Sequence, residues 1–290
     1  GPTGYDMVCR EVLRGLYTLG VNIALKPFQG WSAQRVLLDD LTIQMIEESV
    51  KNTVIPVGTP ILNICLPEQV PFEYGYILFN YTMFEGSCIP DNWAEYSKRV
   101  DITIVPGESS RQAFLAGGVP EYRVHIVPLG VDPLMFNASV PPLPLRDSQG
   151  REIVEHYQIR VLITGEDTPR KNVRQAIKVA MKALQNHPES CIIVHSTNYS
   201  RHSDLPQFIT TLREENPNYP DVFLFNQVLP PNLMGPFFAI ATHYFSLSQA
   251  EGWDLNCLQC LAMQKQVVVP YHTGYRDYLD DFSSEQVSLM

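Results

Sequence analysis

Long hydrophobic runs are missing from this sequence: none approaches the roughly 18 to 20 apolar residues that a bilayer-spanning helix needs. A leader is not evident either, because Gly1-Pro2-Thr3-Gly4 lacks the basic and then apolar regions of a signal peptide. Cysteine is scarce. Six thiols in 290 residues are too few for a disulfide scaffold. Cys257 and Cys260 have CxxC spacing, but no second CxxC or nearby His pair completes a zinc site, and both read as buried apolar residues. Sequons at Asn80, Asn137 and Asn198 matter only in a secreted protein, and a reducing cytoplasm is the expectation. Positive charge is also short: 21 Lys and Arg against 31 Asp and Glu leave a formal charge of −10. That balance excludes broad nucleic-acid binding, which needs a cationic surface. It also leaves no basic amphipathic helix for an anionic membrane. A local basic pocket for a phosphate ligand stays open.

What is present is an ordinary globular composition, 45% hydrophobic and 18% charged, long enough for two domains. Met7, Val8, Val12, Leu13, Leu16 and Tyr17 recur at helical spacing and Gly20 ends that helix. Val21–Leu25, Ile61–Leu66, Tyr76–Phe79, Ile102–Val105 and Val124–Val127 read as strands, and Ser109 and Ser110 as the start of a helix through Phe114. From Pro133 to Gly150 periodicity is lost among Pro141, Pro142, Pro144 and polar residues.

A second cycle follows. Strands are expected at Val161–Thr164, Cys191–His195, Val222–Phe225, Tyr244–Leu247 and Gln266–Val269. Helices are expected at Val173–Leu184, Leu205–Leu212, Leu233–Ile240, Leu255–Met263 and near Tyr275–Leu279. Apolar strands alternating with amphipathic helices predict an α/β chain of two Rossmann-like domains with parallel sheets, facing across a cleft. The boundaries are 1–140, a linker at 141–157, and 158–290. In such sheets ligands sit beyond the carboxyl ends of the strands.

Two strand-to-helix loops carry candidate chemistry. Gly165-Glu166-Asp167-Thr168-Pro169-Arg170-Lys171-Asn172 puts two cations at a helix N-terminus, which is either an anion site or a solvated helix start. Ser248-Gln249-Ala250-Glu251-Gly252-Trp253-Asp254-Leu255-Asn256 offers Glu251 either as a carboxylate for sugar hydroxyls and developing anomeric charge or as a capping acid. His125 and His195 fall in strands and read as packed.

The segment Gln249–Leu279 (QAEGWDLNCLQCLAMQKQVVVPYHTGYRDYL) resembles the signature of family 4 glycosyltransferases. Thr168-Pro169-Arg170-Lys171-Asn172 is similar to that family's phosphate loop, Val105–Ser109 to its Val-Pro-Ser element, and His125–Asp132 to its hinge segment. Gly1–Tyr5 looks like its glycine-rich loop, and Met83-Phe84-Glu85 with Ile89-Pro90 and Trp93 resembles a subgroup element, Phe-Glu…Ile-Pro-x-x-Trp.

The resemblance implies a GT-B fold and retaining transfer of a hexose from a nucleotide-diphosphate sugar to a glycan, lipid or small acceptor. No metal or separate cofactor is implied. Lys171 and Arg170 would bind the donor diphosphate and Glu251 would contact the transferred sugar. Gly4 would approach from the first domain. Ser248, Gly252 and the backbone at Asp254 and Leu255 would complete the donor site, with Gln259 at the ribose. Acceptor contacts would fall around Trp31, Glu85 and Trp93, which read equally well as core aromatics and a capped helix.

The chain departs from the family in having Gln259 for glutamate, Asn256 for proline, Gln264 for glycine and Gly165 where an arginine is common. Asp254, beside a phosphate, should turn its side chain away. The alignment also places Gly1 after the expected first strand and Met290 before the expected closing helices. A non-catalytic binding or scaffold protein of the same fold is therefore the alternative. A nucleotide-sugar epimerase is a third reading, disfavoured by the Glu251 segment.

Overall fold

The computed structural model describes residues 3–28, 36–197 and 203–290. Gly1, Pro2, Trp31 and the sequon at Asn198 lie outside the described residues. The chain divides into two compact units, one of Gly1–Leu129 with Glu251–Trp253, the other of Gly130–Ala250 with Asp254–Met290.

In the first unit, helix α1 (Gly4–Thr18) starts at Thr3, whose backbone and side chain close a capping box with Asp6. Its spacing buries Val8 and Leu13. Helix α2 (Asp40–Lys51) is capped by Asp39, which accepts from the Thr42 N–H at 2.9 Å. Strands β1 (Pro60–Ile64), β2 (Ile77–Tyr81), β3 (Ile102–Val105) and β4 (Val124–Ile126) pair in parallel, in sequence order. The register Asn63↔Asn80 and Asn80↔Thr103 lines up a polar row inside this sheet. Asn80 is fully buried and donates to the Asn63 and Cys65 carbonyls, so its sequon is inaccessible in the folded state.

Helices α3 (Asp91–Ser97) and α4 (Glu108–Ala116) join Ile89, Val105, Phe114 and Val124 in one core. The cap of α4 is Gly107. Ser110 lies inside the helix, where its hydroxyl donates to the Phe84 carbonyl and accepts from the Phe84 N–H. The strand expected at 21–25 is not formed. Its backbone is taken up instead by the end of α2: Leu25 N–H donates to Ser49 O, and Asn52 Nδ2 to Ile23 O.

The second unit is a six-stranded parallel sheet in the order β10-β9-β8-β5-β6-β7. Its strands are β5 (Ile159–Thr164), β6 (Ser190–His195), β7 (Asp221–Phe225), β8 (His243–Phe245), β9 (Gln266–Val269) and β10 (Val287–Leu289). Leu162 and Ile163 of β5 and Ile192–Val194 of β6 are almost wholly buried, as expected of central strands covered on both faces. Helix α6 (Val173–Ala183) buries Val173, Ala176, Ile177, Ala180 and Met181 along one stripe. Short α5 (Ile153–His156), α7 (Leu205–Glu215), α8 (Pro231–Ala239) and α9 (Leu255–Ala262) complete the helices.

The segment expected to be a linker, 141–157, falls inside this unit. Leu143 N–H donates to Pro236 O within α8, and Ile153 and Tyr157 are buried. The helix expected near Tyr275–Leu279 is instead two 3₁₀ turns, Thr273–Asp277 and Leu279–Asp281. Among the described residues, no helix is long and apolar enough to cross a membrane.

Strands β5, β6 and β7 run outward in one direction and β8, β9 and β10 in the other. The order therefore reverses between neighbours β5 and β8. At such a reversal the two following connections leave towards opposite faces and open a crevice at the carboxyl ends, the general ligand position in open α/β sheets.

Candidate functional site

Both candidate loops leave the sheet at this reversal. The first follows β5, beginning at Gly165, whose φ of 141° favours glycine and whose N–H donates to His195 O. Asn172 ends the loop in the left-handed region at φ 52°, and its side-chain amide donates to Leu247 O at 3.2 Å. Asp167 is gripped by Arg174 through Nε at 3.0 Å and Nη2 at 2.7 Å, and receives Ser203 Oγ at 2.8 Å. The Arg174 hydrogen bonds hold the Asp167 carboxyl below its ordinary range. With that grip the loop has a fixed shape, and Arg170 and Lys171 stand half-buried at its far side.

The second loop follows β8 and is stitched to the first. Gln249 N–H donates to Arg170 O at 2.8 Å, Ser248 Oγ to the same carbonyl at 3.2 Å, and Arg170 Nη1 to Ala250 O at 2.7 Å. Arg170 thus serves the site partly as a strut between loops. Ser248 is buried behind it. Glu251 is also buried, at 5% exposure, and groups by contact with the first unit together with Gly252 and Trp253. A Cβ on Gly252 would meet Met83 at 3.0 Å, so a larger residue there would displace that side chain. Glu251 does not cap α9. That role belongs to Asp254, which accepts from the Cys257 N–H at 3.4 Å.

Asp254 occupies the left-handed region at φ 52°, a conformation costing a non-glycine residue about 1 kcal/mol or more. Its carboxylate is turned inward. Oδ2 accepts Tyr244 Oη at 3.0 Å and Tyr275 Oη at 2.7 Å, while Tyr278 Oη reaches the Asp254 carbonyl at 3.4 Å. Burial, and then the Asp254 charge, push the Tyr244 phenol well above its usual range. Leu255 opens α9 after this turn, and Gln259 lies buried one turn further on. Asn256 Nδ2 donates to Thr164 Oγ1 at 3.0 Å, closing the network onto the end of β5. The tyrosines escaped the sequence reading because nothing in a single sequence pairs Tyr244 and Tyr275 with a carboxylate in the intervening loop.

In the first unit, Gly4 is the first residue of α1, with open space where a Cβ would stand. Tyr5 Oη lies 3.1 Å from Thr82 Oγ1 and accepts from Met83 N–H, and burial raises its phenol to about 12. This bond and the Ser110 bridge fix the loop carrying half-buried Glu85. Trp93 packs edge-on against Phe84, with centroids 5.3 Å apart, and against Phe114. His195 is packed beside Phe237 and burial lowers its pKa, but His125 is exposed on β4, contrary to expectation. Among the described residues, no three His, Cys, Asp or Glu side chains are grouped as metal ligands.

No family model and no curated protein matches the sequence. Solved structures do. The sucrose-phosphate synthase of Thermosynechococcus elongatus is similar over 99% of this chain and 80% of its own, at TM-score 0.63 and 14% identity. A variant of S. aureus TarM, in complex with fondaparinux, alpha-GlcNAc-glycerol and UDP, is similar over 75% of this chain and 41% of its own, at TM-score 0.56 and 14% identity. Anabaena HepE in complex with UDP-glucose is similar over 74% and 58%, at TM-score 0.56 and 16% identity. The chain spans less than two thirds of the length of these last two. Likeness at such identities is a likeness of fold: the chain has the α/β fold of GT-B glycosyltransferases.

Proposed function

We propose that this protein is a retaining glycosyltransferase that moves a hexose from a nucleotide-diphosphate sugar to a glycan, lipid or small acceptor. The observation that carries the reading is the stitching of the Lys171 loop to the Glu251 loop at the reversal between β5 and β8. Lys171, with Arg170 behind it, neutralises the donor diphosphate as the bond to the sugar breaks. The N-terminus of α9, with its cap Asp254 and first residue Leu255, adds backbone N–H groups and the positive end of a helix dipole. Ser248 and Gly252 shape the floor, and Gln259 holds the ribose as a neutral partner. Glu251 contacts the transferred sugar, where a buried carboxylate stabilises positive charge developing at the anomeric carbon. Gly4, Glu85 and Trp93 belong to the acceptor side.

The neighbours' ligands support a nucleotide donor: UDP-glucose in HepE and UDP in the TarM variant. Thiols in place of disulfides support a reducing, cytoplasmic setting. Metal independence is part of the proposal and follows from the cationic loop taking the charge-neutralising role.

Calorimetric titration with UDP, GDP and ADP tests the reading. One of the three is expected to bind, and Lys171→Ala is expected to weaken it about tenfold or more. Absence of binding by all three removes the enzyme reading; binding indifferent to Lys171 removes the site assignment. Gln259 favours a second reading, a non-catalytic binder of the same fold. Sugar transfer or donor hydrolysis that falls by about a hundredfold in Glu251→Gln separates the two, since a binder shows no turnover to lose.

A further inference from the structure

The amino-terminal end of the second unit's sheet carries a cavity that glycosyl transfer does not use. It measures about 320 Å³ and lies where the turn from Asp147 to Gly150 and the end of α7 meet the start of β7. The Lys171 loop leaves the opposite, carboxyl end of the same sheet. Strands of five or six residues keep those two ends roughly 16 to 20 Å apart. The cavity is therefore separate from the Lys171 loop.

Three guanidiniums line it, from Arg146, Arg151 and Arg213, against two carboxylates, from Asp147 and Asp221. In a chain of formal charge −10 this is a local excess of the opposite sign. The carboxylates are engaged by the protein itself. Asp147 is turned inward with its side chain 4% exposed; Oδ1 accepts the Gln149 and Arg151 N–H groups and Oδ2 accepts Arg151 Nε. Asp221 accepts Tyr157 Oη at 2.6 Å and pairs with Arg213 Nη1 at 2.7 Å.

These contacts hold two guanidiniums in place without saturating them. Beyond Asp147, Arg151 reaches only Tyr157 Oη, at 3.5 Å, and Arg213 meets Asp221 through a single nitrogen. Arg151 Nη1 and Arg213 Nε and Nη2 have no partner among the described residues, and the two side chains are 38% and 43% exposed. Ser148 stands exposed at the tip of the turn, and half-buried Val222 and Phe223 give the cavity an apolar wall.

We propose that this cavity is a second ligand site, for a phosphate monoester. Arg151 and Arg213 take the phosphate, since a planar guanidinium fork held by a carboxylate on one side offers its other N–H groups to an oxyanion at little entropic cost. Two positive forks match a dianion. The Ser148 hydroxyl adds a hydrogen bond, and the organic part of the ligand lies against Val222 and Phe223. A bare phosphate would leave most of the space unfilled, because the volume already falls within the range of about 300 to 1,000 Å³ that small-molecule sites occupy.

The test is calorimetric titration of the full chain with ribose 5-phosphate and with inorganic phosphate, at matched ionic strength. Ribose 5-phosphate is expected to bind with a Kd of about 1 mM or tighter, and more tightly than inorganic phosphate. Arg151→Gln/Arg213→Gln is expected to weaken it about tenfold or more. Should that variant not fold, Ser148→Glu puts a carboxylate into the cavity from an exposed position, leaves both ion pairs intact and is expected to give the same loss. Lys171→Ala is expected to bind ribose 5-phosphate within about threefold of the parent, which separates this site from the donor site. Three results overturn the proposal: no binding of ribose 5-phosphate, inorganic phosphate binding as tightly as the monoester, or binding that Lys171→Ala abolishes and Ser148→Glu leaves unchanged. The site stands or falls apart from glycosyl transfer, which the UDP, GDP and ADP titrations decide.

Discussion

Arg174 meets Asp167 with two nitrogens, and this pair sets the shape of the Lys171 loop. The hydrogen bonds lower the Asp167 pKa in the folded chain. An unfolded aspartate titrates near about 3.9, so the stability from this pair is complete above that pH and drains away as pH falls through the lower folded value. Comparing unfolding temperatures of the parent and Asp167→Asn from pH 7 down to about 3 should show a gap that closes on acidification. A gap of constant size would mean the ion pair contributes nothing. At this scale the sequence was partly readable: two cations after a strand announce an anion-competent loop. The pairings of Asn172 with Leu247 and of Asp254 with Tyr275 were not, because each partner comes from a different strand-to-helix connection.

Helix α8 is the element whose sequence looks least suited to its structure. It carries Gly235-Pro236 in its interior, where each residue normally weakens a helix. The glycine is required by packing. A Cβ at 235 would sit 2.2 Å from the Met135 carbonyl oxygen, and the Pro236 carbonyl accepts Leu143 N–H. Gly235→Ala, although favourable for an isolated helix, is therefore expected to destabilise the second unit by about 1 to 3 kcal/mol in denaturant titration. Stabilisation would show that the 133–143 segment yields easily.

Elements with a clear apolar pattern, such as α6 with its single stripe and β5 with its continuous buried run, are legible from the sequence alone. Helix α2 is not, because Leu41, Ile43 and Val50 are exposed while Thr42, Met45 and Ser49 are buried, which blurs the stripe. The turns after β9 were misread as a helix. Their 3₁₀ form lets Tyr275 and Tyr278, three residues apart, both reach Asp254.

At the level of the molecule, the −10 charge opposes approach of an anionic nucleotide, whereas the Lys171 loop attracts it only at short range. Raising ionic strength from roughly 0.01 to 0.15 M shortens the screening length from about 30 to about 8 Å. The association rate of UDP should then rise, as measured by stopped flow; a fall would mean that the local cations dominate the field. Two parallel sheets were foreseeable from alternating strands and helices, but their strand order was not. The reversal between β5 and β8 depends on which neighbours pair, and periodicity is silent on pairing. Nor does sequence position reveal that Glu251–Trp253 group with the first unit while the residues on either side group with the second.

The placement of the sulphydryls gives the protein an internal clock. Cys191, Cys257 and Cys260 of the second unit are wholly buried, and burial raises the Cys191 pKa to about 12, while Cys88 of the first unit is exposed. An alkylating reagent should therefore mark Cys88 at once, and of the remaining five thiols Cys191, Cys257 and Cys260 only when strand β6 and helix α9 open. Counting adducts by mass against time would read out, without any introduced label, how often that half of the chain breathes and whether a bound nucleotide slows it.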